Sequence, residues 1–192
     1  MARASDAQGG ATRLVAVKTV SAGYPLRGRL QLQGQQQGPQ AAAAVDTVAA
    51  APQPGTVWVD PSLLDALQLK PGDALLLGDA TLTIARVILI EPDRGAGFSS
   101  FAPRVLLNDA DLASTGLVQP ASRVAYRLAV AAPDAWGAAR ADEAVRRFVA
   151  WTEERIKAAP LRGVRVESLQ SGRPEMRQTL DRAEKFLNLV AL

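Results

Sequence analysis

The chain has 192 residues, of which 48% are hydrophobic and 21% charged, a composition typical of one globular domain or two small ones. It contains no cysteine and no histidine, which excludes disulfides, cysteine-based zinc sites, Ser-His-Asp triads and histidine general bases. The net charge of +3 mildly favours anionic partners. No apolar run reaches the roughly 18 residues of a membrane span, and residues 1–12 lack the apolar core of a signal peptide.

The first two thirds of the sequence predict a body of short strands. Alternating β-branched residues predict a strand at 14–19, and a turn at 23–25 leads into a second extended segment at 26–32. Residues 34–55 are rich in glutamine, alanine and proline, and we predict a mobile loop there. Apolar, β-branched runs predict further strands at 56–59, 74–77, 81–91 and 105–107.

Two short helices are predicted from their capping residues. Asp60 is a favoured N-cap residue and Pro61 a favoured first helical residue, so a short helix is expected to follow residue 60. Asn108 and Asp109 predict a second capped turn of helix that extends through Leu112.

In the last third the apolar residues change to helical spacing. Residues 138–158 predict an amphipathic helix between strands at 123–131 and 163–168, which together form a β-α-β unit. Pro174 begins a final helix whose apolar residues recur at alternating steps of four and three. Its apolar end has two interpretations, a terminal core helix or a helix that leads into a membrane span.

Three constellations resemble functional motifs but have simpler structural interpretations. The glycines of 95–98 lack the Gly-Lys-Ser/Thr of a phosphate loop. The acidic run at 108–111 lacks the glycine and closing glutamate of a calcium loop, and helix capping explains it. Glu91 and Asp93 have no predicted partner or pocket for acid–base work. We therefore do not expect an enzyme, a cofactor or a metal site.

One short segment resembles a DNA-binding domain. The strand VWVDP at 57–61, the helix with Leu63 and Leu64, and LQLKPGD at 67–73 are similar to the swapped-hairpin domains of the AbrB type. In such domains the link between strand and helix is basic, whereas residues 60–65 here include two aspartates and no cation. A basic β-barrel that binds nucleic acid is therefore kept as the alternative function.

A longer resemblance covers the chain from about residue 12 to its end. The carrying segments are VKTVSAGYPLRG at 17–28, VWVDP at 57–61, EPDRGAGFSSFAPRV at 91–105 and TGLVQP at 115–120. They resemble the extracytoplasmic domain of MacB/FtsX-type ABC transporter permeases, and most of all the YbbP-like branch of that family.

This resemblance implies an α+β fold of two lobes on the periplasmic side of the bacterial inner membrane. A porter-like β-α-β lobe would comprise 1–30 and 121–192 and end in a stalk helix, and a small β-rich lobe at 31–120 would be inserted into it. The domain would transmit motion driven by ATP hydrolysis in a cytoplasmic ABC subunit. It further implies a dimer in the full permease and a lipid, lipoprotein or other amphiphilic ligand, with no nucleic acid bound.

The residues expected to contact a substrate or partner lie in and beside the glycine-rich loop after residue 91. Aromatic side chains among glycines and serines have two interpretations: they are exposed and contact a lipid, a peptide or a partner subunit, or they pack back on their own domain. These candidates are Arg94, Phe98, Phe101 and Arg104.

Overall fold

The computed structural model describes residues 1–34, 44–94 and 101–168. It divides into two compact units, Met1–Leu128 and the part from Ala129 onward. The described strands of the first unit are β1 (Ala2–Ala4), β2 (Thr12–Arg13), β3 (Ala16–Val20), β4 (Leu30–Gln33), β5 (Val45–Val48), β6 (Thr56–Val59), β7 (Ala74–Leu77), β8 (Ala80–Ile90) and β9 (Arg104–Asn108). Helix α1 spans Pro61–Leu67, and helix α2 of the second unit spans Ala138–Ala158.

One sheet joins all the described strands, in the order β2-β1-β7-β8-β6-β9-β3, with β4 and β5 attached to β8. The pairs β6/β8 and β3/β9 are parallel, and the other pairs are antiparallel. β8 is long enough to pair with β7 near its start, β6 in its middle and β4 at its end. The sheet and the two helices confirm a mixed, α+β chain.

The centre of the sheet is buried on both faces. In β6, Val57 and Val59 belong to the core cluster that includes α1, whereas Trp58 between them belongs to a second cluster with Leu30 and Leu32 of β4. Side chains of successive strand residues point to opposite faces. Strands covered on both sides therefore have consecutive apolar residues, which explains the unbroken apolar run in VWV.

The turn between β7 and β8 lies against the segment after β9. Gly78 has a φ of +61°, and the backbone N–H of Asp79 donates to the carbonyl of Thr115 at 2.9 Å. A Cβ atom at residue 78 would overlap that same carbonyl oxygen. A glycine is therefore required here both by the backbone conformation and by the close approach.

The segment from 34 to 55 differs in part from the predicted mobile loop. Val45–Val48 forms β5, which pairs antiparallel with β4 from Leu30↔Val48 to Gln33↔Val45. Single residues of this low-complexity segment give little sign of a strand, because the pairing depends on β4 and not on local sequence. Residues 35–43 lie outside the described residues.

The predicted strands at 123–131 and 163–168 are wrong as strands. Neither segment has regular secondary structure, although α2 between them confirms the predicted helix with the same bounds. An alternating pattern produces a strand only when a neighbour supplies ladder hydrogen bonds, and none of the described strands pairs with either segment. Their apolar side chains remain exposed, as with Tyr126 at 81% and Leu128 at 87%. The β-α-β unit is therefore not formed by the described residues, and the final helix lies outside them.

Candidate functional site

A cluster of charged side chains lies where several strands of the first unit end. We call it the Glu91 cluster. β6 pairs antiparallel with β9, so the end of β6 lies beside the start of β9. β3 runs parallel to β9 on the other side, and β8 runs parallel to β6, so residues that follow β8 lie near the same edge of the sheet. Its members are Lys18 from β3, Tyr24 from the following turn, Asp60 after β6, Glu91, Asp93 and Arg94 after β8, and Arg104 at the start of β9.

Glu91 is the buried centre of this cluster. Its side chain is 0% exposed and accepts hydrogen bonds at both carboxylate oxygens. Arg104 Nε donates to Oε2 at 2.9 Å, and Lys18 Nζ donates to Oε1 at 2.8 Å. A buried carboxylate is tolerated only when cations and donors compensate for its lost hydration. Glu91 thus ties the strand β9 to the strand β3.

Asp60 binds residues on both sides of the glycine-rich loop, Arg94 before it and Arg104 after it. Arg94 donates from both terminal nitrogens, to Oδ1 at 3.0 Å and Oδ2 at 2.8 Å, and the backbone N–H of Arg104 donates to Oδ2 at 2.8 Å. Asp60 occupies the N-cap position of α1, but its side chain makes no capping hydrogen bond. The predicted N-cap is therefore correct in position and wrong in function, because Arg94 and Arg104 take up its carboxylate.

Asp93 and Tyr24 form the more exposed edge of the cluster. Tyr24 Oη donates to Asp93 Oδ1 at 2.6 Å, and Lys18 Nζ donates to Asp93 Oδ2 at 2.7 Å while lying 4.5 Å from the centre of the Tyr24 ring. Partial burial acts to raise the pKa of Asp93, but the hydrogen bonds from Lys18 and Tyr24 outweigh it and hold that pKa below its usual value. The hydrogen bonds that Arg94 donates to Asp60 outweigh the effect of burial and raise the pKa of Arg94.

The pKa of Tyr24 is raised far above its ordinary value, first by burial and then by its hydrogen bond to Asp93. A neutral Tyr24 is thus favoured in the folded state, so its contribution to stability is present below about pH 10 and is lost as the pH rises further.

We expect Tyr24→Phe to cost about 1 kcal/mol of unfolding free energy at pH 7. That deficit relative to the unsubstituted chain should narrow between pH 9 and 11. Urea unfolding of both proteins across this pH range measures the difference in unfolding free energy. A difference that stays constant with pH would contradict the burial of the phenol.

The four predicted contact residues have different environments. Arg94 and Arg104 both face inward to carboxylates of the cluster, and the Arg104 side chain is only 11% exposed. Phe101, by contrast, is 87% exposed. Phe98 lies outside the described residues. The two arginines therefore fix the chain on either side of the loop, and Phe101 is the candidate whose side chain is open to a ligand.

Several members of the cluster are notable in the sequence, but no sequence feature joins them. Glu91 and Asp93 resemble an acid–base pair, and Asp60 resembles a helix cap. Lys18 and Tyr24 are notable only because the segment 17–28 carries part of the family resemblance. The available signal was that charged residues directly follow buried strands at 60 and 91. Each carboxylate of the cluster accepts a bond from a cation, so the arrangement suits the positioning of a loop better than acid–base catalysis.

Two depressions in the described part of the chain lie away from the Glu91 cluster. The larger, of about 550 Å³, lies beside α1 and is lined by Gln8, Leu64, Asp65, Gln68, Leu69, Lys70 and Asp73. The other, of about 320 Å³, lies at the end of α2. Across 1–34, 44–94 and 101–168 no three acidic side chains are grouped as a metal ion would require, and no helix is long and apolar enough to cross a membrane.

Comparison with known proteins gives one informative similarity. No family model matches the chain. Over 119 residues, or 62% of this chain, the sequence is 40% identical to an uncharacterized ABC transporter permease, YbbP, of Escherichia coli (strain K12). The matched segment spans 13% of the length of that relative. The predicted resemblance to YbbP-like ABC transporter permeases is thus confirmed over 119 residues, and the chain carries a YbbP-like domain related to such permeases.

Proposed function

We propose that this chain is a non-catalytic, extracytoplasmic domain of an ABC-type permease, on the periplasmic side of the bacterial inner membrane. The supporting observation is the 40% identity to a permease over 119 residues. The Glu91 cluster agrees with a non-catalytic role, because its carboxylates and cations are engaged with one another. The partner of such a permease is a cytoplasmic ABC ATPase, and its working form is a dimer.

The domain transmits ATP-driven motion through two lobes. In this proposal the porter-like lobe comprises 1–30 and 121–192, with a stalk helix at its end, and the inserted β-rich lobe comprises 31–120. The strands β1 and β3 of the first lobe pair with β7 and β9 of the second, so the two lobes share one sheet. Support comes from the helical spacing of apolar residues after Pro174, which suits a lever that leads to the membrane. The helix α2, which has the predicted bounds, supplies the helical part of the porter-like lobe.

The contact with a lipid-like or amphiphilic ligand, or with a partner protein, is made by the aromatic residues of the loop between β8 and β9. Phe101 supports this because its side chain is 87% exposed and is therefore accessible to a ligand. Arg94 and Arg104 contribute by holding the ends of the loop through Asp60 and Glu91. A loop with fixed ends presents its aromatic residues at a lower entropic cost of binding.

Replacing both Phe98 and Phe101 with serine tests this contact. We expect the 192-residue chain to keep its melting temperature within about 2 °C, because Phe101 is exposed, the proposal assigns Phe98 to the same contact surface, and changes at exposed sites cost little. The complete permease with its ATPase should lose most of its transport activity. Tyr126→Ser, at another exposed aromatic residue, is the matched control and should retain activity. Unchanged transport in the double variant, or a collapsed melting transition, would contradict the proposed contact.

The ATPase partnership has a separate test. The complete gene product, co-expressed with the ATP-binding subunit and extracted in detergent, is expected to co-purify with it. Isolation of a product that needs no detergent and binds no ATPase would remove the permease proposal. DNA binding that weakens steeply with salt would then favour the nucleic-acid alternative.

A further inference from the structure

Helix α2 has an apolar face that is half-buried at Val145, Val149, Thr152 and Ile156 and exposed at Phe148. None of its 21 residues is buried, and Phe148 and Trp151 are 39% and 54% exposed. Val145, Phe148, Thr152 and Ile156 recur at steps of three and four, so they lie on one side of the helix. A helix with such a face is stabilised mainly by packing against another element.

The charges beside this apolar face have an unusual symmetry. Asp142, Arg146, Glu153 and Lys157 are spaced by four, seven and four residues, which places all four on the same flank. Their signs alternate from negative to positive along the helix. The outer pair is Asp142 and Lys157, and the inner pair is Arg146 and Glu153. The midpoint of each pair along the helix is the same, between Val149 and Ala150. All four side chains are exposed.

We propose that α2 self-associates with α2 of a second copy, antiparallel across a two-fold axis between Val149 and Ala150. In an isologous interface, if one residue of the first copy contacts a given residue of the second, the reverse contact also forms. This axis therefore sets Asp142 opposite Lys157 of the second copy, and Arg146 opposite its Glu153. Each contact occurs twice, which gives four attractive pairs and no like-charge pair on that flank. The apolar face of each helix, with Phe148 near its centre, covers that of the other.

The size of the helix sets the strength of this association. A helix of 21 residues, about six turns, buries less area against its copy than the roughly 1,000 Å² of a stable interface, so the dimer is weak. We expect a dissociation constant of about 0.1 to 1 mM for the 192-residue chain at low ionic strength. The inference concerns α2 alone and is independent of the proposed function, since its test uses the 192-residue chain and no permease.

Charge reversal tests the register. Arg146→Glu alone sets like charges opposite Glu153 of the second copy, and Glu153→Arg alone does the same to Arg146. Each should raise the dissociation constant about tenfold, since two symmetric pairs change sign. The double variant R146E/E153R restores opposite charges and should recover most of the affinity. Glu154→Arg, with the same charge change on the far side of the helix, is the matched control. Sedimentation equilibrium at 50 mM and 500 mM salt measures all five proteins, and circular dichroism checks that their helix content is equal.

A cysteine cross-link tests the geometry independently, because the chain has no cysteine of its own. Val149→Cys lies beside the proposed axis and should form a dimer with a short bis-maleimide reagent. Arg147→Cys, two residues earlier and about 160° away around the helix, should not. A chain that stays monomeric at 2 mM would overturn the proposal. So would a dimer in which the single reversals have no effect, or in which both cysteines cross-link equally; these results would mean that other residues or another partner cover the face.

Discussion

Glu91→Gln is expected to lower the free energy of unfolding of the first unit by about 3 kcal/mol. The substitution keeps the size of the side chain but removes its charge from a site that is 0% exposed. Arg104, whose side chain is 11% exposed, then lacks the carboxylate that balances its charge. Lys18, by contrast, still has its ion pair with Asp93. The loss of one member of a buried ion pair costs more than the pair contributes, because the remaining charge stays desolvated.

Urea unfolding followed by Trp58 fluorescence measures this loss, since Trp58 is buried in the first unit. Trp136→Phe and Trp151→Phe in the background remove the other two tryptophans. Asp93→Asn is the matched control: it also removes a carboxylate bound to Lys18, but at a side chain that is 52% exposed, so we expect less than about 1 kcal/mol. Equal effects of the two substitutions would show that burial of Glu91 does not set the cost.

Gly78→Ala is the second substitution with a large expected effect, a loss of about 3 kcal/mol or more. Two costs add at this residue. The φ of +61° disfavours any side chain by about 1 kcal/mol, and the new Cβ would overlap the backbone carbonyl oxygen of Thr115, which is itself buried. The chain must then shift, which costs a further 1 to 3 kcal/mol or so, and the bond from Asp79 N–H to that carbonyl weakens.

Gly55→Ala and Gly72→Ala separate the two costs. Both glycines have positive φ values, +79° and +95°, but a Cβ at either would meet nothing within 4 Å. We expect each to cost about 1 kcal/mol, and the same urea titration measures them. If Gly78→Ala were no worse than these two, the close approach to Thr115 would not contribute to stability.

Local pattern was enough to predict the central part of the fold. The run from β6 through α1 to β7 and β8 combines β-branched strands, Pro61 at a helix start and a glycine turn, and each signal is contained within a few residues. Helix α2 was equally clear because 21 residues keep one apolar face. The cap at Asn108 is confirmed, since its side chain accepts from the N–H of Ala110.

Features that depend on distant partners could not be read in this way. The strand β5 exists because β4 pairs with it. The segment at 123–131 has an alternating pattern, but none of the described strands pairs with it. The Glu91 cluster joins residues as far apart as 18 and 93, so no local spacing reveals it. Only the sheet order, with β3 beside β9 and β9 beside β6, brings these charges together.

The most direct test of the account asks on which side of the membrane this domain lies. Phe101→Cys places one thiol at a residue that is 87% exposed, in a 192-residue segment without cysteine. The complete gene product is expressed in intact spheroplasts after any cysteine outside these 192 residues has been replaced by serine. A membrane-impermeant maleimide should then label the Phe101→Cys protein and not the protein without this substitution. Labelling as complete before lysis as after it is the predicted result. Labelling only after lysis would place the domain in the cytoplasm and contradict the proposed extracytoplasmic function.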